Sequence, residues 1–319
     1  MKALLTFVLM LATSSAAELM VLHKGGSSLG FYSEEGKLLA TVPVGQHPHE
    51  MILSPDGKLL YITDNGTMKI EQAGTGGNTV SIVDVQARRK VGEVSLGNFR
   101  RPHGIDLDAR TGRVAVSTEL PDQLLIIDPS ARTVVKTYAT QGKTSHMVRF
   151  GLGATFAYVS NSSSASIAAV NLATGAVKPI GVGERPEGSV LSRDGKALYV
   201  ACREAATVYA IDTAKNEVSG RIATAKGPVR IAVTPAGMLV YATMHEPGVE
   251  IADPKTMKVV GRVPLPHPVV SLNLSPDGHR AYASAEDFQT VYVISVTDRK
   301  LLRQFQTAPG MNPDPVIER

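Results

Sequence analysis

Tryptophan is missing from these 319 residues, and cysteine occurs once, at Cys202. A single thiol excludes an internal disulfide and a Cys-x-x-Cys-His haem attachment. It ends the apolar run Ala197–Cys202 and reads as a small buried side chain. Aromatic residues make only 5% of the chain, so the core must be built from Val, Ile, Leu and Ala. No charge of one sign dominates: 33 Lys and Arg stand against 29 Asp and Glu, a net charge of +4. That balance does not indicate nucleic acid. Long apolar runs are also missing. The stretch from Ala3 to Ala12 is about ten residues, half of what a bilayer span needs, so no membrane span is expected. No Gly-rich phosphate loop and no Gly-x-Ser-x-Gly nucleophile elbow is expected either.

That short N-terminal run has another reading. Met1-Lys2 gives a positive start, the apolar run follows, and Ser15-Ala16-Ala17 forms a small-x-small cleavage site. Together they describe a secretory signal peptide over residues 1–17, with cleavage before Glu18. The mature chain, 18–319, is then expected in the periplasm or secreted medium. No cysteine follows the run, so a lipid anchor is not expected.

What the chain has is a repeat. The glycines of six turns lie at 57, 112, 153, 195, 237 and 278, spaced by about 41 residues with one longer step of about 55. Ser54-Pro-Asp-Gly-Lys58, Ser192-Arg-Asp-Gly-Lys196 and Ser275-Pro-Asp-Gly278 are the clearest copies. Each turn precedes a strand-like run, such as Leu60-Tyr-Ile-Thr63, Val114-Ala-Val-Ser117 or Ala281-Tyr-Ala-Ser284. A second turn residue follows at Asp84, Asp128, Asn171, Asp212, Asp253 and Ser295. In this register these acidic residues are turn formers whose side chains bond nearby backbone amides, not catalytic carboxylates. Four strands per unit of about 40–45 residues is the pattern of a propeller blade. Six complete units run from Gly45 to Thr307. Residues 19–42 supply three strands of a seventh, and Gly310–Ile317 supplies its innermost strand. The expectation is an all-β, seven-bladed propeller in one domain, closed by a blade shared between the termini so that no sheet edge is left free.

Leu60-Tyr-Ile-Thr63, Ala157-Tyr-Val-Ser-Asn161 and Leu198-Tyr-Val-Ala201 resemble the Tyr-Val-Thr-Asn run of the YVTN-type propeller repeat. Arg185-Pro-Glu-Gly188, Asp194-Gly-Lys196 and Val208-Tyr-Ala-Ile-Asp212 fit the same repeat. The resemblance implies an exported propeller, as in the YncE-like group, or a propeller like those of quinoprotein dehydrogenases and of the haem d1 domain of nitrite reductase. Ser145-His-Met-Val-Arg-Phe150 and Gln46-His-Pro-His-Glu50 also resemble segments of lactonase-type propellers, which implies an enzyme with a histidine at the start of an inner strand.

The repeat places candidate site residues. At the entrance of successive inner strands stand His49, His103, His146, Glu187, Val229, Val270 and Asp314. A second ring, at the ends of the second strands, holds Asn65, Glu119, Ser162, Arg203, His245, Glu286 and Lys24. Seven of the 8 histidines fall on this one face; only His279 lies in a turn of the other. The long loop Thr67–Gly77, on the same face, accounts for the one long step. Three imidazoles suit a divalent transition metal, so His49, His103 and His146 form a candidate metal set. The candidate ligand-binding set is His49, His103, His146, Glu187, Arg203, Arg230, His245 and Glu119, with the guanidinium groups suited to a carboxylate. A binding module for a small ligand, metal or partner protein leads. A lactonase- or lyase-like enzyme is the alternative, with His146 as acid or base, Glu187 orienting it and Arg203 and Arg230 holding an anionic substrate. A redox accessory of a quinoprotein or haem system is the third. A monomer is expected throughout.

Overall fold

The computed structural model describes residues 17–70 and 72–319. Among them, 28 strands form seven antiparallel four-stranded sheets, joined by turns and three short 3-10 pieces. Blades 1 to 6 begin with the inner strands Pro48–Leu53, Arg100–Asp108, Ser145–Phe150, Pro186–Leu191, Pro228–Val233 and Ser271–Leu274. Blade 7 is composite. Its inner strand Pro313–Glu318 pairs antiparallel with Glu18–His23, and Ser28–Ser33 and Leu38–Pro43 follow outward. The sevenfold ring and its shared closing blade are as the repeat predicts. The leader expected over residues 1–17 lies outside the described residues, apart from residue 17.

The turns behave as their chemistry demands. Asp56, Asp194 and Asp277 each accept a hydrogen bond from the serine two residues before them, at 2.7, 2.7 and 2.5 Å. Gly57 then takes φ +70, a left-handed conformation that a Cβ would penalise. Asp128 and Asp212 each accept two backbone N–H groups of the following turn. Their carboxylates are occupied with the backbone, as the turn-former reading expects.

The core is a set of thin layers between neighbouring sheets. Val240 and Ala242 of blade 5 pack with Ala281 and Ala283 of blade 6. Leu60 and Ile62 of blade 1 pack with Leu29 and Phe31 of blade 7. Small and β-branched side chains suit such layers, and each fully buried Val, Leu or Ile contributes about 1.5–3 kcal/mol. Cys202 is fully buried, and burial pushes its thiol up to about 12. It is packing material, not a nucleophile.

Asp64 ends the second strand of blade 1. Its carboxylate accepts the Gly45 N–H at 3.0 Å and the Thr79 and Ser81 hydroxyls at 2.7 and 2.8 Å. Burial nonetheless raises its pKa to about 6, against about 3.9 when unfolded. The folded chain therefore binds more protons than the unfolded chain between these values, and stability falls as pH rises from about 4 to about 6. Asp64→Asn should flatten that part of the profile. Urea midpoints at pH 4, 5, 6 and 7 would show it, and an unaltered slope would clear Asp64 of the effect.

Candidate ligand site at the channel mouth

Six of the seven inner strands carry a β-bulge at the same place. Pro48 pairs with Asp64 but Met51 with Ile62, so three steps on one strand face two on the other. The same slip occurs in blades 2, 3, 4, 5 and 7. A bulge kinks its strand and re-aims side chains. Here it falls at His49-Glu50, His103-Gly104, His146-Met147, Glu187-Gly188, Val229-Arg230 and Asp314-Pro315. The first residue of each pair lines a cavity at the channel mouth.

The repeat's Thr or Ser fixes these residues from the neighbouring blade. Thr63 Oγ1 receives the Glu50 N–H at 3.1 Å and donates to the His103 carbonyl at 2.7 Å. Ser117 Oγ receives the Gly104 N–H at 2.9 Å and donates to the His146 carbonyl. Ser284 Oγ donates to the Asp314 carbonyl at 2.5 Å. One hydroxyl thus ties its own inner strand to the next. Gly104 permits the close approach, since a Cβ there would lie 2.5 Å from the His146 carbonyl oxygen.

The resulting cavity has a volume of about 190 Å³. All seven inner-strand residues named from the repeat line it: His49, His103, His146, Glu187, Val229, Val270 and Asp314. Lys24, Arg203, Arg230 and Glu286 join them, and Met68, Lys69 and Ile70 of the long loop form part of the wall. The three imidazoles make a row. His49 and His103 rings lie 4.5 Å apart, and His103 and His146 rings 3.9 Å apart, between centroids.

Two of the rings are held from behind. His49 Nε2 lies 2.7 Å from the Thr67 carbonyl, and His103 Nδ1 lies 3.1 Å from Glu119 Oε1. His146 Nδ1 stands 3.3 Å from Glu187 Oε2, off the line of a good hydrogen bond. Burial drives all three imidazoles well below their ordinary pKa; cationic neighbours, chiefly Lys24 for His49 and Arg230 for His103, add to it. They are neutral at pH 7.

The charges around them are compensated. Glu119 pairs with Arg101 at 3.0 Å, and Glu187 with Arg203 at 3.4 Å. Arg230 reaches Glu50 at 2.5 Å and Glu187 at 4.0 Å. Lys24 lies between Glu286 and Asp314, at 2.9 and 2.8 Å. The four lining cations, Lys24, Lys69, Arg203 and Arg230, face the four carboxylates Glu187, Glu286, Asp287 and Asp314. The lining has no net formal charge.

No protein-family model matches the sequence, and no curated protein matches it either. Solved structures do. A functionally unknown protein from Desulfotomaculum acetoxidans is similar with a TM-score of 0.78 and 14% identity, over 94% of this chain and 98% of that one. Kuenenia stuttgartiensis hydrazine synthase is similar with a TM-score of 0.68 and 18% identity, over 82% and 86%. The dihydro-heme d1 dehydrogenase NirN, solved in complex with DHE, gives 0.67 and 16%, over 92% of this chain and 64% of that one. These likenesses show the propeller fold. They leave the role of the cavity to its own chemistry.

Of the sequence candidates, the structure brings His49, His103, His146, Glu187, Arg203 and Arg230 to the cavity wall. Glu119 stands behind His103 as its partner rather than on the wall. His245 is not brought in: its side chain is 46% exposed and pairs with Glu204 at 3.6 Å. Other histidines on this face are committed elsewhere. His23 is buried between Ser28 and Tyr32, at 3.1 and 2.9 Å, and burial lowers it to about 4. His267 meets the Tyr292 hydroxyl at 2.6 Å. One motif expectation needs correction. Gly26-Ser-Ser-Leu-Gly30 does have Gly-x-Ser-x-Gly spacing, but Ser28 opens a strand, is buried, and is followed by no helix, so the nucleophile-elbow geometry is missing.

Sequence reasoning missed Arg101. Its guanidinium is buried between the long loop and Glu119, donating to the Ile70 carbonyl at 2.6 Å and pairing with Glu119 at 3.0 Å. It pins to blade 2 the loop that forms one cavity wall. Its signal was its place, two residues before His103 in a repeat that starts inner strands there.

Proposed function

We propose that this chain is an exported binding propeller that takes a small polar ligand at its channel mouth. The carrying observation is the cavity itself: three neutral imidazoles from consecutive blades line it together with Arg203 and Arg230. At about 190 Å³ it is smaller than the roughly 300–1,000 Å³ of sites that enclose drug-sized molecules. A small ion or metabolite fits that scale better than a macrocycle or a peptide. The expected leader supports export, and N-terminal sequencing of protein from its own host should begin at Glu18.

A metal-free panel of small carboxylates and oxoanions, followed by thermal shift and native mass spectrometry, tests the binding role. At least one class should raise the melting temperature, and His146→Ala and Arg203→Met should each weaken it about 10-fold or more, the loss of one good polar contact of about 1.5–3 kcal/mol. A panel without a hit, or hits indifferent to both substitutions, would reject the reading.

The enzyme alternative draws on one observation. Glu187 stands behind His146 and within reach of Arg203, as an orienting carboxylate does for a general base. Turnover of a lactone by wild type and not by His146→Ala would favour it. The redox-accessory reading rests on the likeness to NirN, and a visible absorption band in protein from its host would support it.

A further inference from the structure

His49 and His103 meet nitrogen to nitrogen. His49 Nδ1 lies 3.4 Å from His103 Nε2. Their other nitrogens already have partners that only accept. His49 Nε2 faces the Thr67 carbonyl at 2.7 Å, so that nitrogen carries the hydrogen. His103 Nδ1 faces the Glu119 carboxylate at 3.1 Å, which also pairs with Arg101 at 3.0 Å, so this nitrogen carries its hydrogen as well. A neutral imidazole has one N–H and one lone pair. The two nitrogens left with lone pairs border the same 3.4 Å gap, and a turn of the rings, whose centroids stand 4.5 Å apart with planes at 70°, aims both at one cation.

The gap has the dimension of a coordination edge. Two imidazole nitrogens bound to one tetrahedral ion at about 2.0–2.1 Å are about 3.3 Å apart. The outer partners match as well, since ligating histidines donate their second N–H to a carboxylate or backbone carbonyl, which fixes tautomer and ring orientation. We propose that His49 Nδ1 and His103 Nε2 bind one divalent first-row transition metal ion at the channel mouth. The proposal rests on the binding role argued above and names its ligand class.

The full trio expected from the sequence is not preformed. Among the described residues no three His, Cys, Asp or Glu surround a single point, and His146 Nδ1 turns to Glu187 instead. The ion thus takes two protein nitrogens. Its remaining positions go to water or a small anion in the cavity that Arg203 and Arg230 also line. Glu119 and Thr67 act as positioning groups through the two rings.

Titration of the chelator-treated full chain with Co²⁺, followed by its visible absorption and competed with Zn²⁺, tests the proposal. One ion per chain is expected. His49→Ala and His103→Ala should each weaken binding at least 100-fold, and Glu119→Gln about 10–100-fold. His279→Ala, in a turn of the opposite face, should leave it unchanged. Should the alanine variants fold poorly, ring ¹⁵N spectra of wild type decide: Zn²⁺ should shift His49 Nδ1 and His103 Nε2 most. No uptake at millimolar Co²⁺ or Zn²⁺, uptake indifferent to both substitutions, or shifts centred on other histidines would overturn it. The metal-free ligand panel is read separately, so failure here leaves the binding role standing or falling on its own result.

Discussion

Replacing Lys24 with methionine should cost the fold about 3–5 kcal/mol at pH 7, the range for removing one partner of a buried ion pair. Methionine keeps the apolar stem and deletes the ammonium. Lys24 Nζ lies 2.9 Å from Glu286 Oε2 and 2.8 Å from Asp314 Oδ2, with side-chain exposures of 7, 9 and 3%. These groups come from three places: Lys24 follows the first N-terminal strand, Glu286 opens the 3-10 turn after a strand of blade 6, and Asp314 sits in the C-terminal strand. The ammonium therefore holds the ring closure together at the same point where it lines the cavity. Burial opposes its charge, but Asp314 and Glu286 outweigh burial and hold its pKa above the usual range. Deprotonation of Lys24 itself therefore takes nothing from this contribution until about pH 10. Burial raises Glu286 even with Lys24 present, so the carboxyl binds protons more tightly when folded, and loss of Lys24 raises it further. The variant should regain stability as pH falls, and the gap to wild type should narrow between pH 7 and pH 4.5 in urea unfolding. A gap that stays constant with pH would assign the loss to the packing of the stem. Adding Glu286→Gln and Asp314→Asn to Lys24→Met should recover much of the loss, because the stranded charges are then gone.

The repeat made the architecture legible because it is written in local chemistry. Asp56-Gly57 and Asp128 serve as turn formers wherever they stand, and strand runs follow them at a fixed distance. The closing blade was readable for the same reason: residues 19–42 lack a first strand, and the C-terminal residues supply one without a blade. Site geometry was legible only through that register. His49, His103 and His146 are far apart in the chain, and their equivalence between blades put them on one channel. Two things were not legible. The bulges of the inner strands depend on pairing, and no single residue announces them. The commitments of individual histidines depend on tertiary neighbours. His23 and His49 look alike in a count, yet Ser28 and Tyr32 occupy both nitrogens of His23, whereas His49 keeps one facing His103. His245 shows the limit of the second ring: its place in the repeat was right, but its side chain leans outward to Glu204.

Deleting residues 312–319 should have the largest effect of all, abolishing cooperative unfolding or keeping the chain out of the soluble fraction. The strand Pro313–Glu318 is paired only through Glu18–His23, so its removal bares a full sheet edge in the middle of the ring. Val316 is fully buried in a cluster with Leu19, Val21 and Tyr282, and losing a side chain of that kind costs about 1.5–3 kcal/mol in transfer alone. Polar ties go with it. The Ser271 and Ser284 hydroxyls lose the Asp314 carbonyl. Arg280 and the Tyr282 hydroxyl lose Glu318, at 2.6 and 2.5 Å, and Lys24 loses one of its two carboxylates. Together these are comparable with the 5–15 kcal/mol by which ordinary domains are stable. A synthetic peptide of residues 310–319, added during refolding, should restore the fold by strand addition, with recovery rising with peptide concentration and monitored by far-ultraviolet circular dichroism. The same peptide carrying Asp314→Asn should rescue less well, since it returns the strand but leaves Lys24 with Glu286 alone. A truncated chain that unfolds cooperatively near the wild-type midpoint would show that the six continuous blades are stable by themselves and that the shared blade is an addition to them.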